Sequence, residues 1–276
     1  MPGERSVERM DAGLSAIILC GGLGTRLREE TEYRPKPMVE IGNRPMLWHV
    51  MKIYAAYGIR DFILCLGYKG HVIKSYFLNY EALNNDFVLR LGPQRQMEIL
   101  HNESAEDWRV ILADTGDSAL KGARIKRVEK YVVGDRFMLT YGDGLANIDL
   151  RRLYEFHMQH GRIGTVTGVR PPSRFGELLV EDGIRVESFL EKPQVSDGMI
   201  NGGFFVFERR VFDYFTSDDS CELESNVLER LAREGQLMVY VHDGEWACMD
   251  TYRDLLYLNE LWRNGRAFWQ MPEAEL

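Results

Sequence analysis

The segment best suited to chemistry is Gly21-Gly22-Leu23-Gly24-Thr25-Arg26, which directly follows an apolar run. Glycines let the backbone approach a ligand closely and turn its N–H groups toward an anion. Arg26 adds a planar guanidinium that can grip phosphate oxygens. The segment lacks the Gly-Lys-Ser/Thr ending of a Walker A loop, and Leu27 stands where a dinucleotide fingerprint needs glycine. A phosphate loop and a glycine-rich turn without a ligand both stay open from these residues alone.

A second candidate is Lys36, which lies between two prolines in Arg34-Pro35-Lys36-Pro37-Met38. The prolines keep the backbone stiff and extended, so an ammonium can be placed there at low entropic cost. A solvated lysine in a proline-rich loop is the alternative interpretation.

Together, the glycine-rich segment through Leu27 and the later Lys36-Pro37-Met38 resemble the signature of the sugar-phosphate nucleotidyltransferases. The glutamates in Arg28-Glu29-Glu30-Thr31 are similar to those of the glucose-1-phosphate cytidylyltransferase subfamily, whereas thymidylyl- and uridylyltransferases typically have proline there. The resemblance covers residues 15–269. Further matching segments follow in the family order: 38–42, 66–70, 114–118, 141–144, 191–193 and 201–205.

The resemblance implies transfer of a nucleotidyl group from CTP to glucose 1-phosphate, giving CDP-glucose and pyrophosphate. The implied catalytic residues are Arg26, Lys36 and Lys192. The residues implied to bind the nucleotide are Leu19, Gly21, Gly22, Leu23, Gly24, Thr25, Arg26, Gly116, Ser118, Arg124 and Gly142. Glu191, Lys192 and Asn201 are implied to bind the sugar phosphate, although Glu-Lys-Pro by itself is a common surface triplet. Arg124 lies in the basic run 121–127, which is equally typical of a solvated helix face.

Two aspartates are expected to hold Mg²⁺, the cofactor of this chemistry. Asp143 ends a predicted strand, and ligands of open α/β sheets lie beyond the carboxyl ends of strands. Gly-Asp-Gly is also a common turn. Mg²⁺ takes one or two protein carboxylates and keeps several waters. The resemblance supplies Asp250 as the second carboxylate, which by its sequence context alone looks like a helix N-cap.

Three alternatives to the cytidylyltransferase interpretation remain. The first is a related enzyme that uses GTP, dTTP or UTP, or another sugar 1-phosphate. The second is a nucleotide-sugar-dependent glycosyltransferase, which would usually carry an Asp-x-Asp metal motif that this chain lacks. The third is a non-catalytic nucleotide-sugar-binding paralogue, which predicts loss of Lys36, Asp143 or Asp250, whereas all three are present.

The elements that would position these residues alternate along the chain. Apolar runs predict strands at 15–20, 62–66, 110–113, 137–141, 164–169, 204–207 and 237–241. Helical spacing predicts helices at 45–57, 72–77, 120–133, 153–157, 226–233 and 252–262. Residues 178–186 predict a hairpin that turns at Asp182-Gly183. The alternation predicts an α/β fold with a Rossmann-like, mostly parallel sheet flanked by helices, and a smaller β-rich sugar-binding portion.

Length and composition agree with one enzyme-sized domain. The 276 residues predict a flexible leader at 1–14 and a single domain at 15–276, with the sugar-binding β elements from about residue 172. The net charge of −8 and the lack of a basic tract argue against nucleic acid or a membrane as a partner. No two of the four cysteines form a C-x-x-C pair, which argues against a zinc ribbon. We expect a cytoplasmic homo-oligomer whose ligands are CTP and a sugar 1-phosphate.

Overall fold

The computed structural model describes residues 13–22, 24–93, 95–100, 106–170, 177–181, 185–190 and 198–270. Most of the predicted leader lies outside these residues, as does the turn at Asp182-Gly183. The two strands predicted around that turn are present and pair antiparallel. The division into a leader and one domain stays a prediction. Among the described residues, no helix is both long enough and apolar enough to cross a membrane.

The described strands are β1 Ser15–Leu19, β2 Glu40–Ile41, β3 Arg44–Pro45, β4 Asp61–Leu66, β5 Phe87–Arg90, β6 Gln96–Ile99, β7 Arg109–Asp114, β8 Arg136–Tyr141, β9 Gly144–Ala146, β10 Gly164–Val169, β11 Glu177–Glu181, β12 Arg185–Leu190, β13 Ile200–Glu208, β14 Leu237–His242 and β15 Trp246–Cys248. The α-helices are α1 Arg28–Thr31, α2 Met46–Ala55, α3 Gly70–Leu78, α4 Tyr80–Asn84, α5 Lys121–Val128, α6 Leu150–His160, α7 Glu229–Arg233 and α8 Tyr252–Arg263. Shorter 3₁₀ turns include Thr25–Leu27 and Lys36–Met38, and Leu223–Leu228 is π-helical.

The seven-stranded central sheet has the order β14-β10-β13-β8-β1-β4-β7. The pairs β1/β4, β1/β8, β4/β7 and β10/β14 are parallel, whereas β13 runs antiparallel to both of its neighbours. The predicted mixed, mostly parallel sheet is therefore confirmed.

Helices cover both faces of this sheet. Strand β1 illustrates the consequence, because its residues 16–19 are all apolar. Ala16 and Ile18 pack into the core beneath α2, α6 and α8, whereas Ile17 and Leu19 pack into the core beneath α5 and α7. A strand that is buried on both faces cannot alternate with polar residues. Cys20 and Cys65 are buried in the same layers, as predicted for small apolar residues.

The helix predicted over 120–133 is shorter than expected. α5 ends at Val128, a 3₁₀ turn follows at Glu129–Tyr131, and Val132 is extended and buried. The pair Val132-Val133 is β-branched, which disfavours helix and favours an extended backbone. The helix predicted over 226–233 begins earlier, as the π-helical segment that precedes α7.

Candidate active site

A cavity of about 1110 Å³ opens at the carboxyl ends of β1 and β8. Ligands of open α/β sheets bind in this position, where loops replace the regular ladder of hydrogen bonds. The predicted site residues that line the cavity are Leu19, Gly21, Gly22, Gly24, Thr25, Lys36, Ser118, Arg124, Gly142, Asp143, Asn201 and Asp250. Segments far apart in sequence therefore meet at one place.

The glycine-rich loop contains glycines of two kinds. A Cβ atom at Gly21 would lie 2.3 Å from the Arg124 guanidinium, and one at Gly24 would lie 2.7 Å from the Thr31 methyl group. Gly24 also has a positive φ of 63°. Gly22 has no atom within 4 Å of its Cβ position and is exposed, so this part of the loop is open to a ligand. Leu23 and the Arg26 side chain lie outside what the structure describes, and phosphate binding by the loop stays a prediction.

Lys36 is held by two carboxylates. Its Nζ atom donates to Asp143 Oδ2 at 2.6 Å and to Asp250 Oδ1 at 2.7 Å. The side chain is only 12% exposed, so the alternative of a solvated lysine is wrong. Burial disfavours the charged ammonium, but the charges and hydrogen bonds of the two aspartates outweigh it and raise the pKa of Lys36. The ammonium therefore stays charged at neutral pH.

Strand pairing explains how the two aspartates meet. Asp143 lies two residues after the end of β8 and directly precedes β9, which pairs antiparallel with β15 so that Gly144 faces Cys248. The Met249 N–H donates to the Asp143 carbonyl oxygen at 2.9 Å. The two carboxylates thereby lie at neighbouring positions on adjacent strand ends, although 107 residues separate them.

The N-cap interpretation of Asp250 is wrong. Thr251 is the N-cap of α8, and Asp254 completes a capping box with it. The backbone N–H of Asp250 itself donates to Asp254 Oδ2 at 3.0 Å. The spacing Thr251-x-x-Asp254 was a readable capping signal, because a threonine followed three residues later by an acidic side chain satisfies free N–H groups reciprocally. Read that way, the sequence leaves Asp250 available for another role.

The aspartate pair fits a magnesium ion by the chemistry of its donors. Two carboxylates already converge on a single cation, the Lys36 ammonium. Within the described residues, no group of three or more His, Cys, Asp or Glu side chains could hold a metal. A hard divalent ion that takes two protein oxygens and completes its shell with water and phosphate matches such a pair.

The environment of Arg124 excludes one of the two interpretations considered for it in sequence. It is buried, so a solvated helix face is wrong. Its guanidinium donates to the carbonyl oxygens of Leu66, Gly21, Gly116 and Asp117, and to the Thr115 hydroxyl. It therefore ties the glycine-rich loop to the segment 115–117. Ser118 is exposed beside it at the cavity wall, and contact of Gly116, Ser118 or Arg124 with the base stays a prediction.

The other predicted residues divide by what the structure describes. The Gly142 N–H donates to the Leu19 carbonyl oxygen at 3.1 Å. A Cβ atom at Gly142 would lie 2.9 Å from that same oxygen, so a larger residue does not fit there. Asn201 lines the cavity and donates through Nδ2 to the Tyr141 hydroxyl at 3.0 Å. Glu191 and Lys192 lie outside the described residues, so their sugar-binding roles stay predictions.

Sequence reasoning missed several polar residues of the cavity, among them Lys121, Tyr141 and Glu224. Tyr141 was assigned only to the end of a strand and to the family-matching segment 141–144, with no role of its own, and Lys121 only to a basic run. Glu224 lies in Glu222-Leu223-Glu224, which has no pattern distinguishing it from surface carboxylates. No sequence signal separated these residues from the polar surface.

A mixed α/β sheet with an acidic pair at its ligand-binding edge fits an enzyme of the nucleotidyl-transfer class. Residues 15–264 match the nucleotidyl transferase family, and the chain belongs to that family. The resemblance inferred from the sequence is therefore confirmed.

Two curated relatives are similar along nearly the whole chain. Glucose-1-phosphate cytidylyltransferase of Salmonella typhi is 49% identical over 261 residues, covering 94% of this chain and 100% of the relative. Probable glucose-1-phosphate cytidylyltransferase of Bacillus subtilis is 45% identical, with the same shares covered. The crystal structure of HddC from Yersinia pseudotuberculosis matches with a TM-score of 0.63 and 23% identity, covering 90% of this chain and 99% of HddC. That likeness supports the fold.

Proposed function

We propose that this protein transfers a cytidylyl group from CTP to glucose 1-phosphate, giving CDP-glucose and pyrophosphate. The observation that carries the reaction type is the convergence of Asp143 and Asp250 on one cation at the mouth of β1 and β8. The nucleotide and the sugar are taken from the relatives named glucose-1-phosphate cytidylyltransferase, which are 45–49% identical to this chain.

The reaction is an in-line displacement. A phosphate oxygen of glucose 1-phosphate attacks the α-phosphorus of CTP, a new P–O bond forms, and the bond from the α-phosphorus to the bridging oxygen breaks. That oxygen leaves with both electrons as part of pyrophosphate. The nucleophile is already an anion, so no general base is required, and catalysis consists of positioning and charge stabilisation.

Lys36 supplies the positive charge nearest to the aspartate pair. Asp143 and Asp250 would hold Mg²⁺, which when bound offsets phosphate charge and orients the α-phosphate. The Lys36 ammonium lies within hydrogen-bond distance of both carboxylates, so it can donate to phosphate oxygens that approach the same place. By the family pattern, Arg26 holds the β- and γ-phosphates and Lys192 holds the attacking phosphate against repulsion from CTP.

Measurement of pyrophosphate release tests this function. The protein is incubated with Mg²⁺ and glucose 1-phosphate, and CTP, UTP, dTTP, GTP and ATP are offered separately. We expect release with CTP to exceed release with each other nucleotide by at least about tenfold, the factor given by one well-placed hydrogen bond of about 1.4 kcal/mol. Greater release with another nucleotide would leave the displacement mechanism in place but contradict CTP as the nucleotide substrate. Absence of pyrophosphate release with all five nucleotides would contradict glucose 1-phosphate as the acceptor.

We also propose that the protein forms a homo-oligomer. The hairpin β5–β6 is a separate two-stranded sheet whose apolar side chains Phe87, Val88, Leu89 and Met97 are exposed. Isolated two-stranded hairpins are marginally stable in water, and packing against a second copy would bury these side chains. Light scattering after size-exclusion chromatography is expected to give a mass of at least twice 32.0 kDa, and a monomer would contradict the proposal.

A further inference from the structure

A second polar cluster lines the same cavity, and three of its four residues have no role in the reaction described above. We call Lys121, Tyr141, Asn201 and Glu224 the tyrosine cluster. The four residues come from the start of α5, the end of β8, the start of β13 and the π-helical segment. Among them, the family resemblance assigns a role only to Asn201. The cluster is therefore a candidate for positioning the sugar half of the substrate.

Hydrogen bonds in the tyrosine cluster run in one direction. Glu224 Oε1 accepts from Lys121 Nζ at 2.6 Å and from the Tyr141 hydroxyl at 2.8 Å. The Tyr141 hydroxyl has one proton, which it uses in the hydrogen bond to Glu224. The hydroxyl oxygen is then an acceptor for Asn201 Nδ2 at 3.0 Å. Each bond thus determines which atom of the next group donates.

The orientation of the Asn201 amide is fixed at both ends. Its Oδ1 atom accepts from the Gly203 N–H at 2.9 Å while its Nδ2 atom donates to Tyr141. A carboxamide nitrogen carries two protons, and Asn201 is exposed at the cavity wall. The second proton is a donor for a ligand oxygen, and the amide cannot flip without losing both bonds.

Charge and burial keep Glu224 an acceptor. Burial opposes its ionisation, but hydrogen bonds from Glu222, Lys121 and Tyr141 outweigh burial and lower the pKa of Glu224. The ionised Glu224 carboxylate has no proton to donate, so the Tyr141 hydroxyl is the donor in the hydrogen bond between them. The direction of the hydrogen-bond chain is therefore stable at neutral pH.

The backbone that carries Glu224 is itself unusual. Leu223–Leu228 is a π-helical segment, and its residues Leu223 and Val227 are fully buried in the core. Those two anchors hold the segment against the sheet while Glu224 reaches the cavity. π-Helical turns are rare, and they are found frequently at functional sites.

We infer that Glu224 is a positioning residue for the sugar: through Tyr141 it holds the Asn201 amide so that its free N–H donates to a sugar hydroxyl oxygen. This inference rests on the proposed function, because it takes a sugar 1-phosphate as the second substrate. A hydroxyl oxygen at one stereocentre would meet this donor, whereas its epimer would place the oxygen elsewhere. The cluster thus discriminates between sugar 1-phosphates that differ at one carbon.

The test is steady-state kinetics with each substrate varied in turn. In Glu224→Gln the amide no longer neutralises Lys121 and can donate to Tyr141, which reverses the direction of the chain. In Tyr141→Phe the link is removed without loss of the ring. We expect each variant to raise the KM for the sugar 1-phosphate about tenfold, the equivalent of one hydrogen bond, with the KM for the nucleotide changed less than about twofold. We also expect each variant to discriminate less than wild type between sugar 1-phosphates that are epimers.

Two further variants separate positioning from general damage. Glu229→Gln alters an exposed carboxylate that directly follows the π-helical segment and is not among the residues that line the cavity, and it is expected to leave the KM for the sugar within about twofold of wild type. In the double variant Glu224→Gln/Asn201→Ala, we expect no further loss beyond that of Asn201→Ala, because the two residues act in one chain. Additive losses, an unchanged KM for the sugar, or an equal rise in both KM values would each overturn the inference.

The same measurements distinguish failure of this inference from failure of the proposed function. Wild type is first assayed with CTP and glucose 1-phosphate, and the variants are then measured with the nucleotide and sugar phosphate that wild type uses. A different substrate pair overturns the proposed function alone. A wild type active on the proposed pair, with variants whose sugar KM is unchanged, overturns the role of Glu224 alone.

Discussion

Two cations that line one cavity, Lys36 and Arg124, have hydrogen-bond acceptors of different kinds: one is paired with charged groups and the other with uncharged groups. Lys36 is bound by two carboxylates that reach it from adjacent strand ends. The described acceptors of Arg124 are uncharged: four backbone carbonyl oxygens and one threonine hydroxyl. The aspartates raise the pKa of Lys36, whereas burial lowers the pKa of Arg124.

The difference separates a movable cation from a structural one. Carboxylates bind any cation, so a divalent ion can replace the Lys36 ammonium and free it for phosphate oxygens. The carbonyl oxygens of Gly21, Gly116 and Asp117 would each lose a donor if the guanidinium moved, whereas that of Leu66 would keep the Thr115 N–H and hydroxyl. We therefore expect changes at Lys36 to affect chemistry and changes at Arg124 to affect stability.

The largest expected effect is on activity. Lys36→Met should lower kcat for pyrophosphate release by about 10²–10³, the loss found when one donor to a developing charge is removed. In buffer with Mg²⁺, which the two aspartates can bind in place of the ammonium, we expect the unfolding midpoint in urea to change little. A variant with more than about a tenth of wild-type kcat would contradict the role of Lys36 in the reaction.

Arg124→Met should act on stability. The Gly21 and Gly116 carbonyl oxygens lose a buried donor, and each unpaired acceptor costs about 1–3 kcal/mol. We expect the free energy of unfolding to fall by about 3 kcal/mol, measured by urea denaturation. Lys130→Met, at an exposed position just beyond α5, is the matched control and should change this free energy by less than about 0.5 kcal/mol.

A pair of glycine variants sharpens the distinction within one loop. Gly21→Ala places a methyl group 2.3 Å from the Arg124 guanidinium, whereas Gly22→Ala meets no atom within 4 Å. Overpacking against a fixed group costs about 1–3 kcal/mol, so Gly21→Ala should destabilise the protein in urea and Gly22→Ala should not. Equal stability of the two variants would show that Arg124 is free to move.

Metal affinity tests whether Lys36 is replaceable. Without nucleotide, Lys36→Met should bind Mn²⁺ about tenfold more tightly than wild type, because removal of a competing charge is worth about 1 kcal/mol or more near a protein surface. Electron paramagnetic resonance of free Mn²⁺ gives the affinity. Lys74→Met, whose lysine pairs with Asp114 instead, should match wild type, and the double variant Lys36→Met/Asp143→Asn should lose the gain.

A third buried nitrogen base, His49, extends the comparison to a group without any carboxylate partner. Its Nε2 atom lies 2.8 Å from the Ile41 carbonyl oxygen, and its Nδ1 atom accepts from the Trp269 indole N–H at 3.2 Å. Burial lowers the pKa of His49 to about 4. The native imidazole is therefore neutral, and protonation would break the bond to Trp269.

The pH dependence of stability follows from that lowered pKa. Between pH 6.5 and 4, His49 is protonated in the unfolded chain but neutral in the folded protein. His49 therefore makes the free energy of unfolding fall as the pH is lowered. In His49→Gln we expect this fall between pH 6.5 and 5 to be smaller by on the order of 1 kcal/mol. An unchanged pH profile would contradict a neutral, buried His49.

Sequence reasoning worked well where one segment carried the whole signal. Strand β1 is apolar from Ala16 to Leu19 because it is covered on both faces, and Asp143 follows β8 at the edge where ligands bind. Asp250 was different, because its position beside Asp143 depends on the pairing of β9 with β15. That pairing joins short strands with no distinctive pattern.

The sequence by itself determined the family, the mostly parallel sheet and the residues of the glycine-rich loop, because local periodicity and motif spacing are properties of contiguous residues. Only the tertiary structure decided which polar side chains are partners. Arg124 and Lys36 both look like solvated bases in sequence, yet one is surrounded by carbonyl groups and the other by aspartates. The electrostatic character of a side chain depends on groups that folding brings within hydrogen-bond distance, and those groups are distant along the chain.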